Sequence, residues 1–273
     1  MLPFDNYLYN PYCGIPNCGL IVDPNLWKIA RVLPLPKVKN PNDFKDLRPI
    51  SILPTLSKAF EKILVSQLKI YLNKFNILPE NQSGFRALHS CSTALLTVTD
   101  DIIAEIEKGN LTLLVLINYT KAFDQINHRL LIAILNYIGF SEGSLKLLMS
   151  YLNGRFQYVS YNSSKSKPLL LENGVPQGSI LGPILFALYI MFFIRCLAYS
   201  KSHFYADDTQ LYLSFGESDV VSAIEKLNEV LDQLQLLSEK YCLSLNPGKS
   251  QVMLFGPRQA RERVKNIEVQ ILD

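Results

Sequence analysis

The chain has 273 residues, 48% of them hydrophobic and 19% charged, so it is too apolar to be disordered and long enough to bury a sizeable core in one globular unit or two lobes. Its 27 basic and 24 acidic residues leave a net charge of +3, which mildly favours an anionic partner and identifies none. Five cysteines, at positions 13, 18, 91, 196 and 242, are odd in number and irregular in spacing, which speaks against a disulfide framework and for a reducing compartment.

Residues 1–26 are rich in Pro, Asn, Tyr and Gly and read as an irregular segment. They lack the basic start and unbroken apolar core of a signal peptide, so secretion is not indicated. "CGIPNC", Cys13 to Cys18, has no second Cys/His pair nearby and reads as free thiols in a loop rather than a zinc half-site. "WKIARVLPLPK" (27–37) alternates before a proline stop, which predicts a short edge strand, and "PNDFKDLRPIS" (41–51) reads as loop. From Leu56, apolar residues at Phe60, Leu64, Leu68, Tyr71 and Phe75 recur at threes and fours, predicting a helix with one buried face that ends near the turn-rich "NILPENQSGF". A second helix is predicted from a cap at Ser90 to Ser92 through Val98, Ile102 and Ile106 to a stop at Gly109.

"LTLLVLI" (111–117) is an apolar run of strand length, as expected of a central strand covered on both faces. Helices are predicted over about Ala122 to Tyr137 and over "SLKLLMSYL", closed by Asn153-Gly154, followed by strand-like "RFQYVSY" and "PLLLE". The run Ile180 to Ile194 is broken by Gly182-Pro183 and falls short of the roughly 20 apolar residues a spanning helix needs, so a buried core helix from Ser179 is expected and no membrane partner. A hairpin over 204–215, an amphipathic helix carrying Val220, Ile224, Leu227, Leu231 and Leu234, and a last strand "SQVMLFG" complete the pattern. Two hairpin-like segments among alternating helices and strands favour an α+β fold, a mostly antiparallel sheet backed by helices.

The hairpin "FYADDTQLYLSF" sets Asp207 and Asp208 side by side in an aromatic strand. Carboxylates this close cost free energy or gain protons unless cations or donors neutralise them. Mg²⁺ takes oxygen ligands, commonly one or two carboxylates plus substrate phosphates, and two such ions can clamp an attacking and a leaving oxygen. Asp-Asp is also good turn chemistry, so the dipeptide alone leaves both readings open. His89, His128 and His203 form no metal-binding pair in the sequence.

The neighbouring segments decide between them. In order these are "DLRPISILPTLSKAFEKIL" (46–64), "QSGFRALHSCSTALL" (82–96), "LINYTKAFDQINHRLL" (116–131), "NGVPQGSILGPILFALYI" (173–190), "FYADDTQLY" (204–212) and "LSLNPGKSQVMLFG" (243–256). Together they resemble the reverse transcriptases of non-LTR, LINE-type retrotransposons over about Trp27 to Gly256. The resemblance implies a right-hand polymerase with fingers and palm over 27–256, its antiparallel palm sheet backed by helices. It implies DNA synthesis from dNTPs on an RNA template and a DNA primer with two Mg²⁺ ions, and cytoplasmic synthesis with action in the nucleus, although no nuclear-targeting basic run is visible.

Position by position, the resemblance makes Asp207 and Asp208 the paired palm acids and metal ligands. Phe123 becomes the bulky residue under the incoming sugar, Gln177 and Gly178 part of the loop that touches template and nascent base pair, and Lys249 the lysine near the triphosphate. Arg48 and Arg86 match finger positions near template or triphosphate. Read without the family, Phe123 would serve equally as a core aromatic, the loop as a plain strand-to-helix turn, Lys249 as a solvated turn residue and the two arginines as salt-bridge partners. Only the tail 257–273 follows Gly256, so no thumb is expected within this sequence, and no endonuclease domain precedes the fingers.

The pattern breaks at its first palm acid. The family's aspartate lies five positions before the steric-gate aromatic, and here that position is Asn118. Asp124 is no substitute, because the family has its own Asp there, facing away from the metals. An Asn oxygen is neutral and offers one ligand atom where a bridging carboxylate offers two, which predicts little or no polymerase activity. A second departure is Met191-Phe192, where the family commonly continues with Asn-Asp. The alternatives are a non-catalytic nucleic-acid-binding remnant and a non-functional pseudogene product.

Overall fold

A computed structural model describes residues 24–86, 88–193, 197 and 200–264. The cysteine pair Cys13 and Cys18, almost all of the irregular N-terminal segment and the last residues of the tail lie outside them. The chain divides into two compact units, one running through Ile77 and resuming over Phe123–Tyr189, the other made of Leu78–Ala122 and the chain from Ile190.

In the first unit, strand β1 (Ile29–Pro36) pairs antiparallel with β2 (Leu47–Ile52) and parallel with β4 (Arg155–Tyr161), which also pairs with β5 (Ser164–Lys165) and β6 (Leu169–Leu171). Two sequence expectations change here. The segment 41–51 is not all loop: its second half is β2, with Pro49 opposite Pro34, so neither proline has to donate to the other. The strand around Ile29 to Pro36 is not an edge, because Ile29 to Val32 also pair with Phe156 to Val159. Pro34 and Pro36 lie beyond that parallel stretch, where a missing N–H costs no bond to β4.

Helix α1 (Thr55–Lys74) buries Phe60, Leu64 and Leu68, as the period predicts, but Tyr71 is only half-buried, Leu72 is buried in its place, and Phe75 falls at the C-terminal cap and is exposed. Helix α3 (His128–Tyr137) begins later than Ala122, since residues 122–124 form a separate short turn and the Asn127 side chain accepts from the Leu130 N–H. Helix α4 (Glu142–Leu152) follows, capped by Ser141. Helix α5 is Gly182–Ile190, shorter than the run from Ser179 to Ile194, and Leu185 to Tyr189 are fully buried. Met191 and Phe192 are buried too. No helix among the described residues is long and apolar enough to cross a membrane.

The second unit holds a four-stranded antiparallel sheet in the order β7 (Lys201–Tyr205), β8 (Asp208–Phe215), β3 (Leu111–Ile117), β9 (Gln251–Phe255). Central β3 is buried on both faces. Leu114 and Tyr212 pack with Val98 and Ile102 of helix α2 (Cys91–Glu107), and helix α6 (Val220–Lys240) lies against β8, burying Leu227, Val230, Leu231 and Leu234. Ser90 caps α2 through a reciprocal pair of bonds with Thr93. A short helix, α7 (Arg258–Arg263), follows β9, and its Arg263 pairs with Glu217.

Candidate functional site

In the second unit the acidic hairpin turns through Ala206 and Asp207, with Tyr205 opposite Asp208. Ala206 has φ +59°, the sign that the first central residue of a II′-type hairpin turn requires and that a non-glycine residue adopts at a cost. Strand β8 pairs with β3 in a register that sets Ile117 against Thr209. Continued by one residue past the paired stretch, the same register leads from Ile117 to Asn118 and from Thr209 to Asp208. The end of β3 is thus the point where hairpin and central strand meet.

A third segment converges there. The Asn118 carbonyl accepts from the Asn246 N–H at 2.8 Å, and its own N–H donates to the Ser250 hydroxyl at 3.3 Å. Thr120 N–H donates to the Ser244 carbonyl at 2.8 Å, and Tyr119 bridges to Leu245. These bonds hold the turn Pro247–Lys249 beside Asn118. The Lys249 side chain is exposed and, among the described residues, meets no carboxylate or other acceptor.

Among the described residues no donor and no cation reaches either hairpin carboxylate. Partial withdrawal from water, and then the charge of Asp207, push the Asp208 carboxyl above its ordinary range even though the residue is exposed. A divalent cation would reverse that cost. The two hairpin carboxylates offer only oxygen, the ligand type that a hard ion such as Mg²⁺ takes. The described residues hold no group of three or more His, Cys, Asp or Glu that could bind a metal ion unaided.

The first unit brings together another set of the expected residues. Phe123 stacks on Phe186, ring centroids 4.6 Å apart, and its carbonyl accepts from the Val175 N–H at 3.0 Å. Gln177 Nε2 donates to Asp124 Oδ1 at 2.8 Å, so Asp124 already has a protein partner. Gly178 has φ +127°, and a Cβ there would lie 2.5 Å from the Ser51 carbonyl oxygen, while Ser51 N–H donates to the Gln177 carbonyl at 2.7 Å. The loop is therefore laced onto β2, and only glycine fits at 178. Ser179 caps the turn into α5, accepting from Gly182 N–H at 3.0 Å. Arg48 is exposed on β2 and, among the described residues, unpaired. Arg86, in the second unit, donates to the Pro79 carbonyl at 2.9 Å and so is tied to its own segment rather than to a carboxylate.

Glu61 and Ser250 are among the positions that the sequence did not single out. Glu61 is fully buried, and its Oε2 accepts from the amides of Ile180 at 2.6 Å and Leu181 at 3.0 Å, fixing the entry to α5. The signal was an acid between Phe60 and Leu64 on the apolar stripe of α1. Ser250, which holds Asn118, had no local signal beyond a turn composition.

The sequence model of the family described as "Reverse transcriptase (RNA-dependent DNA polymerase)" matches residues 36–272. The chain is 31% identical over 235 residues to the "Probable RNA-directed DNA polymerase from transposon BS" of Drosophila melanogaster, covering 83% of this chain and 26% of that protein. It is 27% identical over 243 residues to the "RNA-directed DNA polymerase from mobile element jockey" of the same species, covering 86% of this chain and 26% of that protein. It is also 25% identical over 206 residues to the "Retrovirus-related Pol polyprotein from type-2 retrotransposable element R2DM", 71% of this chain and 19% of the relative. The chain thus spans about a quarter or less of the length of these curated relatives. The chain belongs to the reverse transcriptase (RNA-dependent DNA polymerase) family, in its non-LTR, LINE-type branch.

Proposed function

We propose that this chain is the fingers-and-palm part, about residues 27–256, of an RNA-directed DNA polymerase whose catalysis is impaired at Asn118. The palm is the sheet of β3, β7, β8 and β9, and the fingers include β1 and β2. The reading is carried by one observation: Asp207 and Asp208 stand at a hairpin without a neutralising partner among the described residues, beside a central strand that is followed by an amide, Asn118.

In this reading Asp207 and Asp208 hold divalent ions, which when bound supply the charge neutralisation that phosphoryl transfer requires. Asn118 offers one neutral oxygen and leaves the site one negative charge short. Lys249, free of protein partners among the described residues, is available to a triphosphate oxygen. Phe123, buttressed by Phe186, is a rigid wall against a 2′-hydroxyl, and Gln177 and Gly178 present a fixed loop to the template and nascent pair. Arg48 and Arg86 contribute positive charge toward an RNA template, a DNA primer or a dNTP.

Primer extension on an RNA template with Mg²⁺ and dNTPs tests the assignment. Asn118→Asp is expected to raise the rate at least about tenfold, because ~1.4 kcal/mol of regained transition-state stabilisation already gives that factor. Asp207→Ala in the same background is expected to abolish extension. Equal rates for the unaltered chain and the Asn118→Asp variant would refute the impairment, and activity surviving Asp207→Ala would refute the site. If neither chain extends a primer but both bind RNA with steep salt dependence, the binding-remnant reading takes its place.

A further inference from the structure

The hairpin that carries the two acids turns through a non-glycine residue at positive φ. Ala206 sits in the left-handed region, a conformation that persists only where the surroundings impose it. In the second unit those surroundings are residues 81–84. Gln82 forms a parallel bridge to Phe204, Ser83 N–H donates to the Phe204 carbonyl at 2.8 Å, and Phe204 N–H donates to the Asn81 carbonyl at 2.7 Å. The segment thus runs along the outer side of β7 and ends on the turn. There Gly84 meets Ala206 so closely that a Cβ on it would lie 2.2 Å from the Ala206 nitrogen and 2.9 Å from its Cα. No side chain fits, and the obstacle is backbone, which cannot swing aside.

Gln82 holds this contact in place. It is 1% exposed, and its Oε1 accepts from the Gly84 N–H at 2.9 Å. Ala206 directly precedes Asp207, so whatever sets the Ala206 peptide also sets where the first carboxylate starts. We propose that Gly84, held by Gln82, is a positioning residue for the acidic hairpin, the rest against which Asp207 and Asp208 are aimed. This goes beyond the proposed function and relies on it only for what the carboxylates bind.

The test separates the two ideas. Mn²⁺ binding to the full chain is measured by electron paramagnetic resonance, and hydrogen exchange is followed in a peptide spanning 204–209. Gly84→Ala is compared with Gly109→Ala, a glycine of the same unit at φ +83° with nothing within 4 Å of its Cβ position, which adds backbone strain far from any such contact. Gly84→Ala is expected to weaken Mn²⁺ binding by about tenfold, the scale seen when an outer partner of a metal ligand is lost, and to speed exchange across the hairpin. Gly109→Ala is expected to do neither.

Unchanged exchange in Gly84→Ala, or exchange raised equally by Gly109→Ala, would overturn the proposal. Asp207→Ala reports on the metal reading separately: if it leaves Mn²⁺ affinity unchanged, that reading fails and exchange alone decides the positioning. Should Gly84→Ala not fold, Gln82→Met, which keeps the volume and removes the acceptor for Gly84 N–H, takes its place with the same expectations. Failure of both variants to fold would also overturn the proposal, since the contact would then serve the whole unit rather than the hairpin.

Discussion

Glu61 in the first unit, on helix α1, and the pair Asp207 and Asp208 in the second, at a hairpin turn, are carboxylates that differ in what surrounds them. Glu61 is fully buried, yet it accepts from two backbone amides and lies 3.4 Å from the donating Ser57 hydroxyl. Asp207 and Asp208 are more open to water, and no donor among the described residues turns toward them. Burial by itself therefore does not distinguish a structural acid from a functional one. The supply of donors does, because a carboxylate met by amides is already neutralised, and one left without them carries a charge for something else to meet.

The strongest way to break the comparison is to remove the satisfied acid. Glu61→Leu would leave the amides of Ile180 and Leu181 without their acceptor beside a buried helix start, and the expected loss is about 3 kcal/mol of stability. Urea unfolding measures it, and a loss below about 1 kcal/mol would show that Glu61 is less structural than its bonds suggest. Glu61→Gln, which keeps an acceptor oxygen, is expected to recover most of the difference.

A smaller effect comes from protons in the first unit. His128 Nε2 meets the Gly174 carbonyl at 2.7 Å, in the loop that leads to Gln177 and Gly178. Burial, opposed by this bond and aided by the Arg155 charge, holds its pKa below the ordinary histidine value. The neutral ring is then the folded form, and the unfolded chain takes the proton first as pH falls. Stability is fully present above about pH 6.5 and declines as pH drops through the lowered folded pKa. His203 is shifted the same way by burial and by the charge of His89, so each unit contributes a decline of this sign. Thermal melts across this range should show the decline, and His128→Asn should make it shallower. An unchanged slope would mean that His128 does not titrate with folding.

How far the sequence revealed all this depended on the range of the contacts. The apolar run at Leu111 to Ile117, the stripe of α1 and the hairpin around Asp207 were legible because each is a local period. Strand β2 was not, since "LRPISI" contains a proline and becomes a strand only because β1 offers Pro34 opposite Pro49. The interior place of β1 depends on a parallel partner, Phe156 to Val159, that is remote from it in the chain. Asp207, Asp208 and Asn118 were singled out through a motif. Glu61 and Gly84 were missed because their roles exist only where a distant backbone arrives: the amides before α5 for one, the Ala206 turn for the other.

The smallest effect carries the opposite sign and sharpens the comparison most. The Asp208 carboxyl is raised by withdrawal from water and by the Asp207 charge, so at neutral pH its ionised form destabilises the fold relative to the unfolded chain. Asp208→Asn should therefore raise the melting temperature without divalent ions, whereas Glu61→Leu lowers it. Adding Mg²⁺ should stabilise the unaltered chain more than the variant and so narrow the gap, because a ligand that binds only the folded form stabilises in proportion to its occupancy. A lower melting temperature for Asp208→Asn in the absence of metal would mean that the carboxylate serves the fold, as Glu61 does, and would remove the main physical reason for reading the hairpin as a cation site.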